Sequence, residues 1–181
     1  MKPLFSRVSG GLIRGIDTFT DWTGKLVAWA ALAMVLGMSA VVILRYVFAE
    51  SSIALQELAT YFHALLFLAG AAFTLKANEH VRVDILHQRF SAKTRASIEA
   101  FGFLFFLLPV CVFLIVVAWD YVAMSWKVRE ASREAGGLPG VYLLKSLLLV
   151  MPVLLIAQGL SEALKATRKL LGIDASEASH A

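Results

Sequence analysis

Cysteine occurs once in the 181 residues, at Cys111. A lone thiol makes no internal disulfide and no cysteine-only metal site. Set inside an apolar run, it reads as a small apolar residue. Also missing are a Ser–His–Asp set, a glycine-rich phosphate loop and any metal-ligand spacing. No segment alternates polar and apolar residues with period two, which excludes a membrane β-barrel. No internal repeat is evident, which argues against an inverted-repeat transporter built from this chain alone. Charge is scarce inside the apolar runs, where an ionisable residue would mark a functional site.

What the sequence does have is apolar length. It is 59% hydrophobic, against about 45–50% for a soluble domain. Mean hydropathy is +0.75. The excess gathers in four runs, at 26–44, 58–75, 100–119 and 141–160. About 20 residues rising 1.5 Å each cross a hydrocarbon core of about 30 Å. The expected fold is therefore an all-α integral membrane protein with four transmembrane helices, at about 26–45, 57–76, 99–125 and 141–164. They would form a membrane domain over 26–165, after a basic, partly amphipathic leader at 1–25 and before a tail at 166–181 whose end is expected to be disordered. The fourth helix is expected to run on into that tail, with Gly172 offering a stop. The first run is too long for a cleaved signal peptide and reads as a retained helix. Pro109 and Pro152 lie inside the third and fourth runs and are candidate kinks, since membrane helices tolerate proline where neighbours satisfy the freed carbonyl.

The charges orient this bundle. Of 17 Lys and Arg residues, twelve fall in the leader, the 76–97 segment and the stretch from Lys165 onward. The positive-inside rule then places both termini in the cytoplasm. The same rule accounts for the pI of about 9.4, so nucleic acid is not an expected partner. The opposite face carries Arg45, Lys127, Arg129, Arg133 and Lys145 against Glu50, Glu57, Asp120, Glu130 and Glu134. That balance suits a docking surface for a polar partner, or simply solvated loops. Between the second and third helices, Val81, Ile85, Leu86 and Phe90 recur at helical spacing opposite Arg82, Arg89, Lys93 and Arg95. This predicts an amphipathic helix lying in the membrane interface.

Few residues qualify for chemistry. His63 is the one histidine at membrane depth. It reads either as a proton relay or haem ligand, or as a histidine bonded to a neighbouring helix or facing the interface. A relay needs a partner at its depth, and none is found. Haem held by two histidines is poorly served, because His80, His87 and His180 lie outside the runs. His80 and Asp84, spaced i,i+4, read as a metal pair or as hydrogen-bonding neighbours. Arg45 with Glu57, and Asp120 with Lys145, are expected to pair across their hairpins. Four Trp and four Tyr lie mostly near run ends, where interfacial aromatic rings belong. Gly37, Ser39, Ala40, Gly70, Ala71 and Ala72 permit close helix contact. The midplanes are nearly featureless, so no catalytic, substrate-binding or metal residue and no cofactor is expected in this chain.

Several local motifs then converge. Arg45-Tyr46-Val47-Phe48 follows the first helix and Gln56-Glu57-Leu58-Ala59 opens the second. His80-Val81-Arg82-Val83-Asp84 follows the second, and Gly136-Gly137-Leu138-Pro139 precedes the fourth, which contains Pro152. In this order over roughly residues 20–165, the sequence resembles the small, DctQ-like membrane subunit of tripartite ATP-independent periplasmic (TRAP) transporters. One departure is Gln56, where an acidic residue often stands. The resemblance implies a non-catalytic, scaffolding partner of a large elevator-type membrane subunit that carries the substrate and Na⁺ sites. It also implies a periplasmic binding protein that delivers an organic acid, and membrane lipid around the bundle. Arg45, Glu57, Asp120, Arg129, Arg133 and Lys145, with His80 and Asp84, are the structural or docking candidates. The competing reading is a membrane anchor of a redox complex, with or without haem. A self-assembling channel would need a polar pore made by oligomerisation, and a membrane-embedded hydrolase lacks a nucleophile–base set.

Overall fold

A computed structural model describes residues 2–77 and 90–173, and these are mostly helical with no strand among them. The first helix, α1, is Lys2–Val47. Its 46 residues correspond to roughly 69 Å, more than twice a bilayer core. The basic leader is thus no separate element but the first half of the first spanning helix. The helix α2, Ile53–Lys76, starts where Ser52 accepts a hydrogen bond from the Leu55 amide at 3.3 Å. Ser51 and Ser52 interrupt the apolar pattern, and a serine at the cap satisfies one amide left free by the helix start.

The third span is built in three pieces. The helix α3, Ala92–Gly102, is capped by Ser91, which accepts from the Thr94 amide at 3.2 Å. A π-helical turn, Phe103–Leu107, follows, and α4 runs Leu108–Val128. Pro109 explains the turn. It has no N–H to donate to the carbonyl four residues back, and its ring crowds that carbonyl. The ladder widens there, with the Leu108 amide reaching the Phe103 carbonyl. The expected kink at Pro109 therefore takes the form of a π-bulge. The last helix, α5, is Val141–Leu170 and keeps its helical path through the fully buried Pro152. It stops before Gly172, at a φ of +67° that glycine adopts without steric cost.

The bundle is organised by α5, which packs against α1, α2 and the α3–π–α4 stack; α1 also packs along α2. Two glycines permit the closest approaches. A Cβ on Gly24 of α1 would lie 2.6 Å from Cγ of Phe73 in α2. A Cβ on Gly159 of α5 would lie 2.6 Å from Leu107 and the Phe103 ring. The expected small residues Gly37 and Gly70 also sit in the α1–α2 contact, where an added Cβ would meet Ala59 and Val27 only at ordinary van der Waals range.

Four helices are long and apolar enough to cross a membrane. In the third span only 6% of the most apolar stretch is buried, against 17% in each of the others. Phe105, Phe106, Phe113 and Val116 are exposed there. This face is stable only against lipid or another membrane protein, because water would hydrate it at about 25 cal/mol per Å² of apolar surface. The expected interfacial helix falls mostly on residues outside the described ones, as do His80, Asp84, His87 and the end of the tail. Lys93 and Arg95, its last basic residues, stand in the first turn of α3.

Candidate functional site

Polar side chains gather at the two ends of the bundle. At the loop end, α4 closes on Arg129, whose φ of +47° turns the chain left-handed. The loop to α5 is then tied across itself. The Ser132 amide donates to the Leu138 carbonyl and the Gly137 amide to the Glu134 carbonyl, both at 3.0 Å. Gly136 supplies a φ of +80°. Gly137 supplies space, since a Cβ there would meet Ser132 and come within 2.9 Å of Glu57 Oε1.

That space is filled by Glu57, from the first turns of α2. Its carboxylate accepts from the Ser132 hydroxyl and, at 2.7 Å, from the Leu138 amide. The Gly136-Gly137-Leu138-Pro139 motif is thus a seat for one carboxylate carried by a different helix. Tyr61, one turn further along α2, lies 3.7 Å from the position of a Cβ on Gly140, and its buried hydroxyl makes no hydrogen bond. A second carboxylate holds the other side of the loop. Glu130 Oε2 accepts from Lys145 Nζ at 2.5 Å and from the Ser125 hydroxyl at 2.7 Å. The Lys145 ammonium first, then the Ser125 hydroxyl, hold Glu130 below the usual carboxylate range, and Arg133 adds to the same field. Lys145 also stands 3.9 Å over the Tyr121 ring. Trp126 donates to Ser146 at 2.8 Å and meets Tyr142 edge-on at 4.7 Å.

The expected pairings are therefore rearranged. Glu57 turns to the α4–α5 loop instead of Arg45, which stays exposed in the last turn of α1. Lys145 pairs with Glu130 instead of Asp120, which is exposed on α4. The loop bends back over the bundle, so residues 75 and 81 positions apart meet where hairpin neighbours do not. Arg129 and Arg133 are both exposed.

At the other end, where α1 begins and α5 ends, a cluster that sequence reasoning missed joins α1 to α5. Asp17 Oδ2 meets Lys165 Nζ at 2.8 Å. Its Oδ1 accepts from Ser161 at 2.7 Å and Gln158 at 3.1 Å. Gln158, 0% exposed, also accepts from Thr20 at 2.7 Å and donates to Glu162 at 2.9 Å. Lys76 of α2 reaches the Asp17 carbonyl at 2.9 Å and Asp21 at 2.6 Å. Arg168, 9% exposed, donates to the Ser6 carbonyl at 2.9 Å and to the Ser9 hydroxyl at 3.2 Å. The signal was present: Asp17 and Asp21 on one helix, with Gln158, Ser161, Glu162 and Lys165 on the other, recur at spacings of three and four.

Between the ends the described structure offers little chemistry. His63 is exposed beside a groove of about 670 Å³ lined by Gly24, Val27, Phe67, Gly70 and Phe73. Among the described residues no group of His, Cys, Asp and Glu is placed to hold a metal ion.

Four apolar helices held together by polar clusters at their ends define a multi-pass membrane protein. The chain belongs to the family described as Tripartite ATP-independent periplasmic transporters, DctQ component, whose model matches residues 34–169. It is accordingly a small membrane subunit of a TRAP transporter. Neither the curated proteins nor the solved structures yield a match to the chain.

Proposed function

We propose that this subunit is a non-catalytic scaffold. It enlarges the static part of a large elevator-type membrane subunit, which carries the substrate and Na⁺ sites. A sodium gradient drives uptake of an organic acid that a periplasmic binding protein brings to the pair. Both termini face the cytoplasm, in keeping with the twelve basic residues of the leader, the 76–97 segment and the stretch from Lys165 onward. The loop end then faces the periplasm.

One observation carries this reading. The hydrogen-bonded and ion-paired clusters lie at the ends of the helices, while the exposed surface of the third span is apolar. A protein that moved an anion or an ion through itself would need polar groups or broken helices near mid-membrane. A scaffold needs rigid ends and an apolar flank. The π-bulge at Phe103–Leu107 keeps its backbone bonded, with the Leu108 amide donating to the Phe103 carbonyl, and its Phe103 and Leu107 side chains face Gly159.

The test is to tag the chain in its native membrane, extract it in mild detergent and identify what comes with it. Recovery of a large multi-helix membrane protein is the expected result. A chain that emerges alone, as a defined oligomer, overturns the scaffold reading. Recovery with a redox enzyme or bound haem replaces it with the anchor reading.

A further inference from the structure

The α4–α5 loop and the last turn of α4 before it carry more positive charge than their own fold pairs off. Glu57 and Glu130 are turned inward, onto Ser132, Leu138, Ser125 and Lys145. Outward stand Lys127, Arg129 and Arg133, against Glu134 alone among the loop's acids. None of the three cations forms an ion pair among the described residues.

The loop is also held in one shape. Arg129 is kept left-handed at a φ of +47°, a conformation that costs a non-glycine residue and persists only where its surroundings impose it. Glu57 grips the loop at Ser132 and at Leu138, and the 132–138 backbone is closed on itself. The Trp126–Tyr142 pair lies just below Arg129 along α4. Such aromatic pairs mark the membrane boundary, so the loop stands on its aqueous side.

We propose that this loop is a preformed basic acceptor for an acidic face of the soluble binding protein. Lys127, Arg129 and Arg133 make the contact, and Glu57 is the positioning residue that holds the loop in register for it. The proposal rests on the reading that the loop end is periplasmic and that a binding protein docks there. Charge complementarity selects an acidic partner surface. The fixed backbone favours a protein over anionic lipid headgroups, which bind mobile basic segments through their charge without demanding a set geometry.

The complex of this chain with its large membrane subunit is reconstituted in discs of neutral phosphatidylcholine, and the transporter's own binding protein is titrated in. The variant Lys127→Glu/Arg129→Asp/Arg133→Glu keeps an aspartate at the left-handed position, where that residue is tolerated. It is expected to weaken docking by about tenfold or more, with the difference shrinking between about 0.05 M and about 0.5 M salt. Glu57→Ala is expected to weaken docking although its own charge faces inward. Glu57→Gln, which keeps a hydrogen-bonding carbonyl, restores part of the loss. Co-purification with the large subunit reports that each variant is folded. Unchanged docking by the triple variant in an intact complex overturns the proposal and leaves the scaffold reading standing. So does wild-type docking that disappears without anionic lipid, which assigns the cations to headgroups. A wild-type complex that fails to bind the protein in both lipids overturns the docking reading itself.

Discussion

The two ends of the bundle use the same chemistry for different ends. Where α1 begins and α5 ends, Asp17 is satisfied by Lys165, Ser161 and Gln158, side chains of one neighbouring helix. At the opposite end, Glu57 is satisfied by a hydroxyl and a backbone amide of a loop. The first arrangement locks the register of α1 against α5. The second gives a fixed shape to a segment that has no regular hydrogen bonding of its own. A carboxylate saturated by side chains thus holds helices together, and a carboxylate that accepts a backbone amide places a surface.

The comparison breaks most readily at Asp17. Asp17→Ala leaves Lys165 with only Glu162 and frees the buried Ser161 and Gln158 donors, at an expected cost of about 3 kcal/mol. The midpoint of thermal unfolding in detergent reads it. A loss no larger than that of an exposed control such as Asp120→Ala would mean that the cluster does not lock the helices. Gly159→Ala comes next. Its added methyl meets Phe103 and Leu107 and should cost about 1–3 kcal/mol, whereas Gly11→Ala, with open space around it, should not destabilise.

At the loop end the effects are local and smaller. Glu57→Ala strands the Leu138 amide, and the loosened loop should be read as faster proteolysis within 129–140 while the helices stay intact. Glu130 sharpens the contrast through pH. Its folded value lies below the ordinary glutamate value of about 4.3, so its contribution is fully present above that pH. The contribution is lost as pH falls through the lower, folded value. Unfolding midpoints of wild type and Glu130→Gln should therefore differ at neutral pH and converge in acid. The smallest effect belongs to Tyr61→Phe. The buried hydroxyl it removes makes no hydrogen bond, and stability should change by less than about 0.5 kcal/mol.

The four spans were legible because apolar length suffices to identify them. Glu57, Lys145 and the Gly136-Gly137-Leu138-Pro139 motif were also singled out from sequence. Their partners were not, because pairing was sought between hairpin neighbours. The loop instead folds back over the bundle and brings Ser132 to Glu57 across 75 residues. Periodicity within a helix carries no information about which helix lies opposite. The Asp17 cluster was missed for a related reason. With the leader read apart from the first span, its polar residues had no partner to meet. Once α1 is continuous from Lys2, Asp17 faces α5 at the depth of Lys165. Pro109 signalled a perturbed helix, but proline alone does not say whether the ladder kinks or widens, as it does here at Phe103–Leu107 opposite Gly159.

The most direct test of the central claim is uptake by proteoliposomes. They carry this chain alone, the large membrane subunit alone, or both, with the binding protein and labelled substrate outside and an imposed sodium gradient. The scaffold account expects concentrative uptake with both subunits and none with this chain alone. Uptake through this chain in the absence of the large subunit would contradict it.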